Sequence, residues 1–475
     1  MKKFRSTLLF LLAVSLVLSL ASCVVVEDSG ETSAEDTTEI PAREYTAEEL
    51  LTAIDEKMDS YDSYEAAVEM LISTTTNGIN VKTTTTGIEI VRGLKTDNWE
   101  CFAEVETVVS SPALTSSQKV TSVEAYIGGN YFISNRGTVI DKVDQKFYSP
   151  MSVEDAKALY EESEVDLFDF VECINKEIKT NEDGTYELTL SGYTANAINK
   201  IVEEVELDLD AISHTAIDLV FVIKADADLN ATDMELSVVY DKNSASGAVP
   251  EISIKMRFSK YDEAEIGASA PNPEKYTLVD DVRILDDVND LMDALKAMES
   301  GSFTLDITQT LKFMGDTQQS VETDNVTFGT NDKGYFYDID ADMDGTKYDI
   351  SYSQGIQTVA VSGESHQVSQ SEDEARAFVE SLINSAQYNS LFITQIEKLS
   401  DNKYSFTCSP KSTYQPFIEQ MGATFRSVTQ KIVVTIENGA ITAIDSEVNA
   451  TGAITSGNST YQLTFTVVSD VIFDK

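Results

Sequence analysis

The chain has little of what active sites and nucleic-acid surfaces are usually built from. Its 475 residues include two histidines, four cysteines, one tryptophan and eight prolines. His214 and His366 have no Cys or His at ligand spacing, so no zinc-type motif can be read, and each is an ordinary strand or loop residue. A triad assembled in space rather than in sequence stays open, but there is no Gly-x-Ser-x-Gly elbow and no glycine-rich phosphate loop. No catalytic residue, cofactor or metal ligand is assigned, and the chain is not read as an enzyme. With a single tryptophan, carbohydrate binding on stacked aromatics is poorly supported; Trp99 alternates with Cys101 and Ala103 and reads as core or pocket wall. Basic residues are also scarce: 34 Lys and Arg stand against 81 Asp and Glu, a formal net charge of −47. Such a surface cannot neutralise phosphates, which excludes a nucleic-acid partner, and it disfavours lying flat on anionic lipid. With so many acids, a glycosidase-type carboxylate pair has no distinguishing signature.

Long apolar runs are missing too, apart from one at the N-terminus. Lys2, Lys3 and Arg5 precede an almost unbroken apolar segment from Thr7 to Leu20, too short and wrongly flanked for a stable span and arranged like a secretory signal. It ends in Leu20-Ala21-Ser22-Cys23, which resembles the bacterial lipobox. That resemblance implies cleavage before Cys23, a diacylglycerol on the Cys23 sulfur, and a mature protein held at the extracytoplasmic face of a bacterial membrane. Residues 1–22 are then the lipoprotein signal peptide. Residues 23–45, rich in acid, Ser and Thr, form a lipidated acidic tether that spans roughly 25 Å, or about 75 Å fully extended. Of the other cysteines, an exported protein admits one bridge, Cys101 to Cys173. The simpler reading has Cys101, Cys173 and Cys408 packed as small hydrophobes.

Ordered structure is predicted from Thr46. Thr46 and Glu49 form a capping box, and Leu51, Ile54, Met58 and Tyr61 recur at helical spacing. From Tyr64 the period becomes two, and Asn77-Gly78 signals a hairpin. Further strands are predicted at Ile88–Val91, Trp99–Val108, Ser122–Ile127, Tyr131–Ser134, Tyr186–Leu190, Ile217–Lys224, Met234–Tyr240 and Ile252–Phe258. Helices are predicted at Val153–Glu161, with Ser152 as cap, and around Ala195–Val205.

The order then repeats. The strand–glycine turn–strand of Ser122–Tyr131 returns at Tyr348–Gln357, and the capped helix start Ser152–Ala158 returns at Ser371–Ala377. The Ile178–Leu190 stretch matches Leu399–Cys408, and Ser63-Tyr64 matches Ser302-Phe303 after a helix at Val288–Met298. Met256–Tyr261 pairs with Thr466–Val471. Five matches in one order imply two copies of one α+β unit. We place these at residues 46–267 and 286–475, joined by a linker at 268–285 that holds Pro271 and Pro273.

A helix, antiparallel strands, a mid-chain helix and further strands form an order that resembles the lipoprotein-carrier superfamily, the Lol-type carriers and LppX/LprG-type lipoproteins. The resemblance implies that each unit is an antiparallel sheet curled into a half-barrel and covered by helices, with a lipid or acyl chain between. Leu219, Phe221 and Ile223, or Ile432, Val434 and Ile436, would line such a cavity or pack on the covering helices. Asp340-Ala341-Asp342-Met343-Asp344-Gly345 looks like the start of an EF-hand loop, but Ser351 stands where the bidentate Glu is needed, and a hairpin at Asp344-Gly345 accounts for every residue. The leading expectation is a membrane-anchored protein that binds or carries a hydrophobic ligand. The alternative is a non-enzymatic envelope interaction module with filled cores.

Overall fold

The computed structural model describes residues 45–76, 79–112, 118–139, 141–162, 172–204, 214–243, 248–267, 270–383, 390–409, 423–456 and 459–474. The signal segment, Cys23, nearly all of the tether and the Asn77-Gly78 turn lie outside these residues. The chain forms two compact units. The first holds the chain up to Val139 and Lys146–Leu278; the second holds Ile140–Gln145 and Val279–Lys475.

The first unit opens with α1 (Ala47–Met58), set by the predicted capping box: Glu49 N–H donates to Thr46 Oγ1 at 3.2 Å, and Thr46 N–H donates to Glu49 Oε2 at 2.9 Å. Its buried stripe is Ala47, Leu50, Leu51 and Ile54. Strands β1 (Ser63–Thr76), β2 (Ile79–Arg92), β3 (Glu100–Ser110), β4 (Gln118–Ile127), β5 (Asn130–Val139) and β6 (Asp141–Pro150) follow, then α2 (Val153–Glu162), β7 (Cys173–Thr180), β8 (Tyr186–Tyr193) and α3 (Ala195–Glu204). Strands β9 (Ala216–Ala225), β10 (Ala231–Tyr240) and β11 (Glu251–Ser259) complete the run, and β12 (Thr277–Leu278) adds a parallel edge to β6. The sheet order is 12-6-5-4-3-2-1-11-10-9-8-7.

The second unit has α4 (Ile284–Lys296), β13 (Gly301–Phe313), β14 (Asp316–Asn331), β15 (Gly334–Met343), β16 (Thr346–Ser353), β17 (Ile356–Val361), β18 (Glu364–Ser369), α5 (Glu372–Ile383), β19 (Ile393–Ser400), β20 (Lys403–Cys408), β21 (Ala423–Glu437), β22 (Ala440–Ser456) and β23 (Ser459–Phe473). Its sheet runs 18-17-16-15-14-13-23-22-21-20-19. With β12 set aside, the two sheets follow the same progression.

The expected α+β class holds only in a coarser form. Both sheets are large, open and almost wholly antiparallel, and the helices are few and short, so the architecture is mostly β. Besides the two-residue β12, sequence reading missed two strands of the first sheet for physical reasons. Strand β6 turns Val143, Gln145, Phe147 and Ser149 inward, so half its buried positions are polar and the apolar alternation is broken. Strand β7 is an edge with mostly exposed residues. The region read as a joint, 268–285, carries a 3₁₀ turn at Pro273–Lys275, then β12 and the start of α4.

One face of the first sheet is continuous from β8 to β5. Over β8–β11 it is aliphatic and aromatic: Leu188, Leu190, Phe221, Ile223, Leu236 and Ile254 are all buried. The other face of β2–β5 is covered as well, by Ala264, Ile266 and Tyr276 packed on Ile90, Phe102, Val123, Ala125 and Phe132. The central strands of this unit are therefore buried on both sides.

Candidate functional site

Across β1–β5 the first face changes character. Strand register lines up Ala66, Glu89, Ala103, Glu124 and Ile133 in one row, and Val68, Gly87, Val105, Ser122 and Asn135 in the next. A third row holds Met70, Thr85, Thr107 and Val120. The large side chains of β8–β11 thus give way to small and polar ones, most of them buried. Glu89 is fully enclosed, at 0 % exposure. Helix α2 places Tyr160 above it; Ser152 starts that helix by accepting Asp155 N–H at 3.1 Å. Tyr160 Oη donates to Glu89 Oε1 at 3.0 Å and lies 2.7 Å from Tyr64 Oη. With its single proton given to Glu89, Tyr160 accepts from Tyr64, which makes a Tyr64–Tyr160–Glu89 chain. Burial, with the Glu89 charge beside it, holds the Tyr160 hydroxyl well above its usual pKa, so it stays a neutral donor. Beside this chain the Thr85 and Thr107 hydroxyls meet at 3.0 Å, while Ser122 Oγ is buried with no hydrogen-bond partner. Trp99 walls the site, stacked on Tyr126 and edge-on to Tyr160, as the core reading expected.

The second unit presents the matching place differently. Leu305, Asp324, Ala341 and Tyr348 form one row across β13–β16. Asp324 is 5 % exposed, and its Oδ1 is sealed from solvent with no hydrogen bond. Burial, reinforced by Glu322 and Asp306, pushes its carboxyl up to about 6. Helix α5 starts from a capping box in which Ser371 Oγ accepts Glu374 N–H at 3.2 Å and Ser371 N–H donates to Glu374 Oε2 at 2.7 Å. Counted from the capping serines, Val379 stands where α2 has Tyr160; both are buried.

The other sequence candidates fall as follows. Asp340–Gly345 is a hairpin: Met343 pairs with Thr346, and Asp344 and Gly345 have φ of 53° and 83°, the signs of a type I′ turn. Asp342 Oδ1 accepts Gly345 N–H at 2.8 Å and Asp344 Oδ1 accepts Val321 N–H at 2.8 Å, so both carboxylates serve the turn. Ser351 pairs with Asp338 inside the sheet. A groove of about 900 Å³ lies along this side, lined by Asp340, Asp342, Lys347 and Asp349 together with Val321 and Val361; this mixed, partly acidic lining differs from the apolar concavity that a lipid carrier was expected to show. His214 is buried and His366 is exposed on the edge strand β18. Among the described residues no group of three or more His, Cys, Asp or Glu is placed to hold a metal. Cys101, Cys173 and Cys408 are free thiols, so the Cys101–Cys173 bridge is absent; Cys101 and Cys408 are buried, as the packing reading has it. Leu219, Phe221, Ile223, Ile432 and Val434 are buried, but a register shift between Thr435 and Ile436 turns Thr435 inward and leaves Ile436 half-buried.

Sequence reading missed Glu89, Tyr160 and Asp324. The hairpin register held the signal: strands meeting at Thr76 and Ile79 set Glu89 against Ala66, on the buried face.

No protein-family model matches the chain, and no curated protein does. Among solved structures it shows a likeness to a putative AttH from Nitrosomonas europaea, at 9% identity over 86% of this chain and 93% of that one, with a TM-score of 0.14. A second likeness is to OprD of Pseudomonas aeruginosa, at 9% identity over 88% and 98%, with a TM-score of 0.12. The translocator domain of the autotransporter NalP from Neisseria meningitidis is similar at 8% identity over 89% and 92%, with a TM-score of 0.10. Overlaps this low carry no argument about the chain.

Proposed function

We propose that this chain is an extracytoplasmic lipoprotein, anchored to a bacterial membrane through a diacylglycerol on Cys23, that binds an amphiphilic ligand and catalyses no reaction. Its two sheets are read as two copies of one helix-covered, curled unit of the lipoprotein-carrier kind, a reading supported by their shared strand order. One observation carries the ligand reading: the change along a single face of the first sheet. A filled core has no need to replace Leu, Ile and Phe by Gly87, Ala103, Thr85, Thr107 and Ser122. Small side chains let a molecule approach the sheet closely, and polar atoms enclosed there without a partner, such as Ser122 Oγ, cost about 1–3 kcal/mol each unless a bound molecule meets them. Close approach plus a few convergent polar groups in an apolar surround is what an amphiphile requires.

The test is native mass spectrometry, followed by organic extraction, of a Cys23→Ser variant purified without detergent. Co-purifying lipid supports the reading. A clean mass, before and after incubation with phospholipid and acyl chains, contradicts it.

A second reading has its own observation. Edge strand β18 is exposed at all six residues, Val368 among them, and Ile356 on the neighbouring β17 is a further exposed apolar side chain. Such an edge suits pairing with another protein's strand. A clean apo mass, together with a β18-dependent crosslink on cells, would favour it.

A further inference from the structure

We propose that the second unit binds an amphiphile with a protonated amine head group, held by the Asp324 carboxylate on the covered face of its sheet. The inference rests on the ligand-binding reading and adds the chemistry of the head group.

Register sets the equivalence. Glu89 lies opposite Ala66 on the first strand of its sheet and Ala103 on the third; Asp324 lies opposite Leu305 and Ala341. In the first unit the carboxylate is met from within the protein by Tyr160, itself backed by Tyr64. In the second unit the matching residues are Val379 and Phe303, which have nothing to donate. Asp324 therefore keeps a buried oxygen with no hydrogen bond. Its neighbours on the same face, Leu305, Val326, Ile339 and Ala341, are buried and apolar, so the carboxylate stands in a hydrocarbon-like surround.

An isolated carboxylate in such a place is costly, and its natural complement is a donor carrying positive charge. The charged groups acting on it, Glu322 and Asp306, are both acids, and among the described residues no basic side chain neutralises it. A fatty acid would add a fourth like charge to Asp324, Glu322 and Asp306 and would meet a molecule of net charge −47. A long-chain amine is drawn in by the same field, buries its tail on the apolar wall and gives Asp324 the donor it lacks.

The experiment uses the Cys23→Ser full chain and three probes of equal tail length: hexadecylamine, hexadecanol and hexadecanoate, followed by native mass spectrometry and calorimetry at pH 7.5. We expect hexadecylamine to bind about tenfold more tightly than either other probe, as one charge-assisted hydrogen bond implies. Asp324→Asn and Asp324→Leu should each remove that preference, while Glu397→Gln, at an exposed acid of the same unit, should keep it. Circular dichroism of each variant checks the fold, and Asp324→Leu, which removes a buried unpaired group, should melt no lower than the parent. Amine binding that survives in both Asp324 variants overturns the proposal, as does equal or tighter binding of the alcohol or the acid. If hexadecanoate binds and Asp324 is immaterial, this inference fails while the ligand-binding reading stands. If no probe binds and the protein purifies clean, both fall.

Discussion

Glu89 and Asp324 hold the same place in two different sheets, each on the second strand and each facing an alanine on the third, Ala103 or Ala341. Their surroundings differ in what meets the carboxylate. Tyr160 donates to Glu89, and no side chain donates to the buried Oδ1 of Asp324. The pair gives two expectations that separate cleanly in experiment, together with one for the thiols and one for the acidic turn.

Asp324 should make stability depend on pH. Its carboxyl is raised from 3.8 to about 6 in the folded chain. Well below pH 4 both states are protonated and the cost of burying the charge is absent. Between about pH 4 and 6 the unfolded state releases its proton first, so folded stability is lost as pH rises, and the full penalty stands above about 6. Asp324→Leu should therefore stabilise the chain by about 1–3 kcal/mol at pH 8 and by much less at pH 4. Urea melts at the two pH values check this; an equal gain at both would contradict it.

Tyr160→Phe should destabilise the first unit by about 1–3 kcal/mol, because it leaves Glu89 enclosed without that donor. Adding Glu89→Leu should recover much of the loss. A double-mutant cycle on thermal melting measures the coupling, and strict additivity would show that the two groups act independently.

Cysteine reactivity should be uneven. Burial pushes Cys408 up to about 12 and Cys101 well above the usual thiol range, and both are enclosed; Cys173 is half-buried. In the folded Cys23→Ser chain, a thiol reagent should modify Cys173 first, and Cys173→Ser should remove the fast phase. Cys101 and Cys408 should react only in denaturant. Fast labelling of either would contradict their burial.

At the hairpin, Asp342→Ala removes the acceptor of Gly345 N–H and should cost about 0.5–1.5 kcal/mol. Calcium should leave the melting temperature unchanged, because Asp342 and Asp344 are spent on the turn. A calcium-dependent rise would favour the EF-hand-like reading.

Much of the fold was legible where local chemistry and tertiary burial agree. The Thr46–Glu49 capping box, the glycine turns and the hairpin at Asp344-Gly345 all read directly into α1 and the tight turns of the two sheets. Legibility failed where burial overrides side-chain type. Gln145 and Ser149 point inward on β6, and β7 lies at an edge with no pattern to read. The shared order of strands was legible, but the last of the five matches slipped: if Ser63 is set level with Ser302, the registers align Met256–Tyr261 with Ser469–Asp474 rather than with Thr466–Val471. Strand sequences of alternating Val, Ile, Ser and Thr look alike when shifted, and only pairing fixes the register. The candidate site was hidden for a related reason. Glu89 sits between Ile88 and Ile90 and reads as the exposed member of its strand, yet β2 is covered on both faces, and the acid falls on the inner one.

The most direct test of the central claim is the detergent-free native mass of the Cys23→Ser chain, set beside the mass after organic extraction. The account predicts a difference equal to one or two molecules of a lipid or other amphiphile per chain, removed by extraction and restored by adding the extract back. One mass, equal to that of the bare polypeptide before and after extraction and after incubation with phospholipids and acyl chains, would contradict it.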